Sequence, residues 1–119
     1  MSSPLKVAVV IYEPLSGDSS RVYRGLRTAL ELHEAGDDIV LLFDGAGVES
    51  LAAISDAKNP MHPILEALSG RVRGACSFCS NSYKVAETIK EHGWTLLTDY
   101  KGEASVRTLL ADGYQVINF

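Results

Sequence analysis

The chain has 119 residues, 46 % hydrophobic and 22 % charged, a mixture typical of a globular domain and unlike that of a disordered or collagen-like chain. At this size roughly two-thirds of the unfolded surface is buried on folding, so a core forms without metal or disulfide staples. Eleven Lys and Arg against fifteen Asp and Glu leave a net charge of −4 and a pI near 5.3, which argues against a dedicated nucleic-acid binder.

In chain order, Lys6 to Tyr12 is an unbroken, largely β-branched run, the mark of a strand covered on both faces. Pro14 to Ser20 punctuates it. From Arg21 to Ala35 the positions Val22, Leu26, Ala29, Leu30 and His33 share one helical face, and Gly36 supplies the stop. Ile39 to Phe43 reads as a second buried strand, ending in Asp44-Gly45-Ala46-Gly47. Glu49 to Ala57 predicts a short helix, and Ile64 to Leu68 a further helical turn after the Pro60 to Pro63 break. Val72 to Cys76 is the third strand and Ser80 to His92 a helix with Val85, Ala86 and Ile89 inward. Trp94 to Thr98, Glu103 to Ala111 and Tyr114 to Asn118 complete the pattern as strand, helix and strand, the helix with Val106, Leu109 and Leu110 inward.

This alternation predicts an α/β fold: one domain over residues 1–119, a five-stranded parallel sheet between helices in an α/β/α sandwich. In such folds the chemistry sits at the carboxyl ends of the strands, here Glu13 to Ser20, Asp44 to Val48 and Cys76 to Ser80. The apolar runs are far too short to span a bilayer, and the N-terminus carries no secretory pattern. The expectation is a cytoplasmic protein with no membrane association and no direct nucleic-acid contact.

Cys76-Ser77-Phe78-Cys79 is the most informative segment. Cys76 ends a strand and Cys79 lies at the entrance to a helix, where unpaired N–H groups favour a thiolate. Such a thiolate can attack a disulfide, accept sulfur as a persulfide, or bind a soft metal, with the second cysteine resolving what forms on the first. The plain alternative is two small buried hydrophobes. Two cysteines this close do not make a secreted disulfide framework. With no second CxxC and no paired histidines, a zinc site from this chain alone is not expected. Gly17 to Ser20 resembles an anion-binding turn, but helix capping around Ser19 is the preferred reading. Asp44 and Gly45 form a turn that admits close backbone approach, and His62, between two prolines, either caps or faces the cysteine loop.

With these residues the chain resembles the DsrE/DsrF-like family, which includes the TusD and YchN proteins. The likeness rests on the first strand and long helix, Leu41 to Val48 (LLFDGAGV), His62 to Leu68 (HPILEAL), Gly74 to Cys79 (GACSFC) and the terminal ADGYQVINF. The resemblance implies a small α/β/α domain that assembles as a homotrimer, homohexamer or hetero-oligomer with related subunits. It implies a sulfurtransferase-type carrier without organic cofactor, loaded and unloaded by donor and acceptor proteins. Cys76 matches the persulfide-bearing cysteine, and Cys79 the second cysteine of many members. The Arg-Gly that often follows in the family is replaced here by Ser82-Tyr83-Lys84. Two other functions stay open: a non-enzymatic small-ligand module on the same fold, and a CxxC dithiol/disulfide redox protein.

Overall fold

A computed structural model describes residues 4–119; the first three residues of the expected domain lie outside it. Five parallel strands, β1 (Lys6–Ile11), β2 (Asp38–Phe43), β3 (Val72–Cys76), β4 (Leu96–Leu97) and β5 (Gln115–Asn118), form one sheet in the order β4-β3-β2-β1-β5. The helices are α1 (Ser19–Glu34), α2 (Gly47–Ile54), α3 (His62–Ala67), α4 (Ser77–Ser82), α5 (Ala86–Glu91) and α6 (Val106–Ala111), with one 3₁₀ turn at Ser69–Arg71.

The strand order explains how the helices are distributed. From β1 to β4 each right-handed crossover steps in the same direction, so α1 to α5 collect on one face. The last crossover steps back across the sheet to β5 and lays α6 on the other face. Side-chain alternation follows this division. Val7, Val9, Ile11, Ile39, Leu41 and Phe43 pack with Val22, Leu26, Leu51, Ile54 and Leu65 in the larger core, while Ala8, Val10 and Leu42 pack with Leu109 in a smaller one. The three layers are therefore unequal, and α6 buries Leu109 while leaving Leu110 exposed, against the expected inward face.

Three elements are shorter than their sequence patterns. The expected helix over residues 80–92 divides into α4 and α5, with Lys84 between them at φ +60°. Ser80 Oγ and Asn81 Nδ2 donate to the carbonyls of Cys76 (2.7 Å) and Ser77 (2.9 Å), so polar side chains compete for the backbone where the helix ends. The strand at residues 94–98 pairs only at Leu96 and Leu97, on the sheet edge. The helix at residues 103–111 starts only after Ser105, whose Oγ accepts from Thr108 N and caps it.

The feature that positions the candidate site is a β-bulge in β3. Leu41 pairs with Val72, but Leu42 pairs with Gly74, so Arg73 is the extra residue. Gly74 sits at φ +144°, and a Cβ there would collide with the Thr95 carbonyl oxygen. Beyond the bulge Phe43 pairs with Ala75 and Ile11 with Phe43. Continued by one residue, that register brings Cys76, Asp44 and Tyr12 into one row at the carboxyl edge.

Gly74→Ala is expected to lower unfolding stability by about 2–4 kcal/mol, because it adds both a strained φ and a backbone clash. Gly70→Ala, where nothing lies within 4 Å of the added carbon, is expected to stay within about 0.5 kcal/mol of wild type. Urea unfolding of the two variants checks the pair; equal stabilities would remove the bulge from its structural role.

Candidate functional site

Four of the residues singled out in the sequence meet at the carboxyl edge of the sheet. Cys76 is the last residue of β3 and the residue that precedes α4; Cys79 follows in the first turn of that helix. Asp44 and Gly45 arrive from the end of β2. The carboxylate of Asp44 and the sulfurs of Cys76 and Cys79 all lie within 4.8 Å of one another.

The two thiols have different surroundings. Cys76 is 1 % exposed, and its Sγ accepts a hydrogen bond from Ala104 N (3.4 Å), in the segment between β4 and α6. Cys79 is half-buried, and its Sγ donates to Asp44 Oδ1 (3.6 Å). The same Oδ1 accepts from Gly45 N (2.8 Å), which fixes the carboxylate over its own turn. Burial pushes the Cys79 thiol up to about 12; the hydrogen bond and negative charge of Cys76 add to this, the Gly45 N–H opposes it, and Asp44 adds a smaller rise. The lowered pKa expected for a thiol at a helix entrance is thus not found at Cys79, because desolvation and the neighbouring Cys76 and Asp44 side chains outweigh the nearby N–H.

Tyr12 is the member the sequence pattern hides. It reads as the end of an apolar run, yet its ring packs against Gly45, where an added Cβ would meet Cδ1 at 3.3 Å. Burial, then the charges of Asp44, Cys79 and Cys76, raise its hydroxyl above the usual tyrosine range. Its position at the carboxyl end of β1 is the signal that could have found it.

Ser19 and His62 lie elsewhere. Ser19 opens α1 in an exposed turn where Asp18 caps the helix, its side chain accepting from Ser20 N (3.0 Å) and Arg21 N (3.3 Å). The Asp18 N–H goes to Glu13 Oε2 (2.9 Å), so carboxylates already occupy the amides an anion would need. His62 opens α3, with Nδ1 on the Ile54 carbonyl (2.8 Å) and Nε2 against Glu66 (3.1 Å). Because α2 runs from the carboxyl edge to Ile54, His62 is carried to the opposite edge, where it lines a cavity of about 210 Å³ with Ser55, His92 and Trp94.

A model of the DsrE/DsrF-like family matches residues 5–119. The chain belongs to the DsrE/DsrF-like family. A solved structure from Bacteroides thetaiotaomicron, described as a conserved protein of unknown function, is similar to it with a TM-score of 0.66 and 20 % identity over 94 % of each chain. At that identity the likeness speaks for the fold. The curated proteins contain no significant match. In the Ser82-Tyr83-Lys84 segment, Lys84 takes the left-handed conformation that a glycine adopts easily. No helix among the described residues is long and apolar enough to cross a membrane.

The electrostatics of Cys79 predict its reactivity. Only the thiolate alkylates, so modification of Cys79 is expected to keep accelerating above pH 9.0 and to level off near pH 12. Removing the hydrogen bond and charge of its neighbour with Cys76→Ala is expected to shift that profile to lower pH. The folded thiol also titrates above its ordinary 9.0, so this group's contribution to stability is complete below pH 9.0 and is lost as pH rises towards 12. Peptide mapping of Cys79 alkylation against pH checks this; a plateau below pH 9.0 in the wild type would contradict it.

Proposed function

We propose that the protein is a DsrE-type sulfur carrier that holds sulfane sulfur as a persulfide on Cys76, with Cys79 as the adjacent second thiol. The observation that carries this reading is the pairing of a fully buried thiol with a half-exposed one at the carboxyl end of β3, in a chain of this family. A persulfide is readily lost to solvent thiols, so a carrier needs a sulfur that is nucleophilic when loaded and shielded afterwards. The burial of Cys76 supports shielding, and the Ala104 N–H directed at its Sγ suits a sulfur that bears negative charge in the exchange.

In loading, the Cys76 thiolate attacks the outer sulfur of a donor persulfide. The donor S–S bond breaks, the donor leaves as a thiolate, and Cys76–S–SH forms. In unloading, an acceptor thiolate attacks that outer sulfur and Cys76 leaves as thiolate. If Cys79 instead attacks the inner sulfur, a Cys76–Cys79 disulfide forms and hydrosulfide departs. Both exchanges need the Ala104 segment or α4 to move aside, since Cys76 is closed to solvent in this conformation.

A docking partner belongs to this reading. Phe78 is 59 % exposed beside Cys79, Tyr83 is exposed four residues after Cys79, and Tyr100 is exposed in the β4–α6 segment that carries Ala104, which supports a covering subunit or an acceptor protein at this edge. Homo-oligomerisation as a trimer or hexamer, or pairing with related subunits, is part of the same proposal.

Incubation with a low-molecular-weight persulfide, followed by intact mass measurement, tests the assignment. The expected result is a gain of one sulfur atom in wild type and in Cys79→Ser, and none in Cys76→Ser. Loading in Cys76→Ser equal to wild type would overturn it. Loss of two hydrogens in wild type, with no sulfur gained even in Cys79→Ser, would replace it with the dithiol redox reading.

A further inference from the structure

The cluster at the carboxyl edge has the composition of a metal site as well as of a thiol pair. Two cysteines separated by two residues fall short of a zinc site in the sequence, because a third donor is missing. The fold provides one from a distant segment: Asp44, thirty-five positions before Cys79, is held against it by the β2–β3 register. We infer that Asp44, Cys76 and Cys79 form a binding site for a zinc-class divalent cation, with three protein ligands and a fourth position open to solvent.

The spacing fits the chemistry. In a tetrahedral site with metal–sulfur bonds of about 2.3 Å and metal–oxygen bonds of about 2.1 Å, bound S and O atoms lie about 3.6 Å apart. Cys79 Sγ and Asp44 Oδ1 are 3.6 Å apart, and no pair among the three donor atoms exceeds 4.8 Å. Small side-chain rotations close the remaining distance. Among the described residues Asp44 pairs with no Lys, Arg or His, and its hydrogen bonds converge on Oδ1, leaving Oδ2 without a hydrogen-bond partner. Its turn is also held in place, because the Asp44 N–H donates to the Ile11 carbonyl (3.0 Å).

The donor set selects the metal. Two thiolates favour a soft or borderline ion, and the carboxylate favours Zn²⁺ or Cd²⁺ over Cu⁺ and over the hard cations Mg²⁺ and Ca²⁺. Binding exchanges one proton from each thiol for two metal–sulfur bonds, with no change in oxidation state. The metal and a persulfide then compete for the same sulfur atoms, so an occupied site is closed to sulfur loading. The donor geometry stands independently of the carrier reading.

The test uses the reduced full chain and Zn²⁺ or Cd²⁺ alone. Competition against a chromophoric chelator is expected to show one Zn²⁺ per chain, and Cd²⁺ is expected to give the ultraviolet thiolate-to-metal charge-transfer band. Cys79→Ser is expected to abolish both signals, and its half-exposed position makes it the safer of the two cysteine variants for folding. Asp44→Asn, isosteric and at the surface edge, is expected to weaken Zn²⁺ binding at least about tenfold while circular dichroism is unchanged. Absence of competition by wild type overturns the site. Asp44→Asn binding as tightly as wild type also overturns it, since two thiols without the carboxylate are then the whole site. Neither result touches sulfur loading, which the mass measurement reads separately.

Discussion

A single misalignment in a parallel ladder organises the reactive edge of this protein. The bulge at Arg73 advances β3 by one residue relative to β2, so Cys76 stands level with Asp44 where an unbroken ladder would have placed Ala75. The advance depends on Gly74, whose φ of +144° and contact with the Thr95 carbonyl leave no room for a side chain. Tyr12, Asp44 and Cys76 then share one row. Cys79 reaches the group from the first turn of α4, and Ala104 from the segment before α6.

The row lies at the carboxyl edge where the two cores meet: Tyr12 and Asp44 continue the alternation of Val10 and Leu42 in the smaller core, while Cys76 packs in the larger one. α4 carries Cys79 to it, and the segment leading to α6 places the Ala104 N–H on Cys76 Sγ. The two cysteines differ in burial. Cys76 is closed in by the Ala104 segment, while Cys79 stays half-exposed but is held protonated by desolvation and by its neighbour. A pair in which one sulfur is shielded and the other is a reluctant nucleophile retains a cargo better than it discharges one. On the proposed carrier reading, release depends on movement of α4 or the Ala104 segment, and exposed Phe78 and Tyr100 offer a partner apolar surface.

Much of the fold is legible in the sequence because buried parallel strands are written as continuous apolar runs. β2 and β3 fall where Ile39–Phe43 and Val72–Cys76 predict them, to within one residue. Helix periodicity is less decisive at residues 83–85, where the inward spacing of Ala86 and Ile89 continues although Lys84 has turned left-handed. The edge strand β4 is over-read for a related reason, since an apolar run does not reveal how many partners it will find. The site is only half legible. CxxC and the Asp-Gly turn announce themselves by composition, but bulges have no period, so their meeting is invisible before folding. His62 shows the converse: it falls within a family-like segment, yet the direction of α2 carries it to the far edge.

The central claim is that sulfur resides on the buried thiol of this row. A crystal structure of protein treated with a persulfide donor tests it most directly. The account predicts one additional sulfur on Cys76 Sγ, enclosed by the Ala104 segment, with Cys79 still a free thiol. Additional sulfur on Cys79 alone, or no added sulfur on Cys76 in either the wild type or Cys79→Ser, would contradict it.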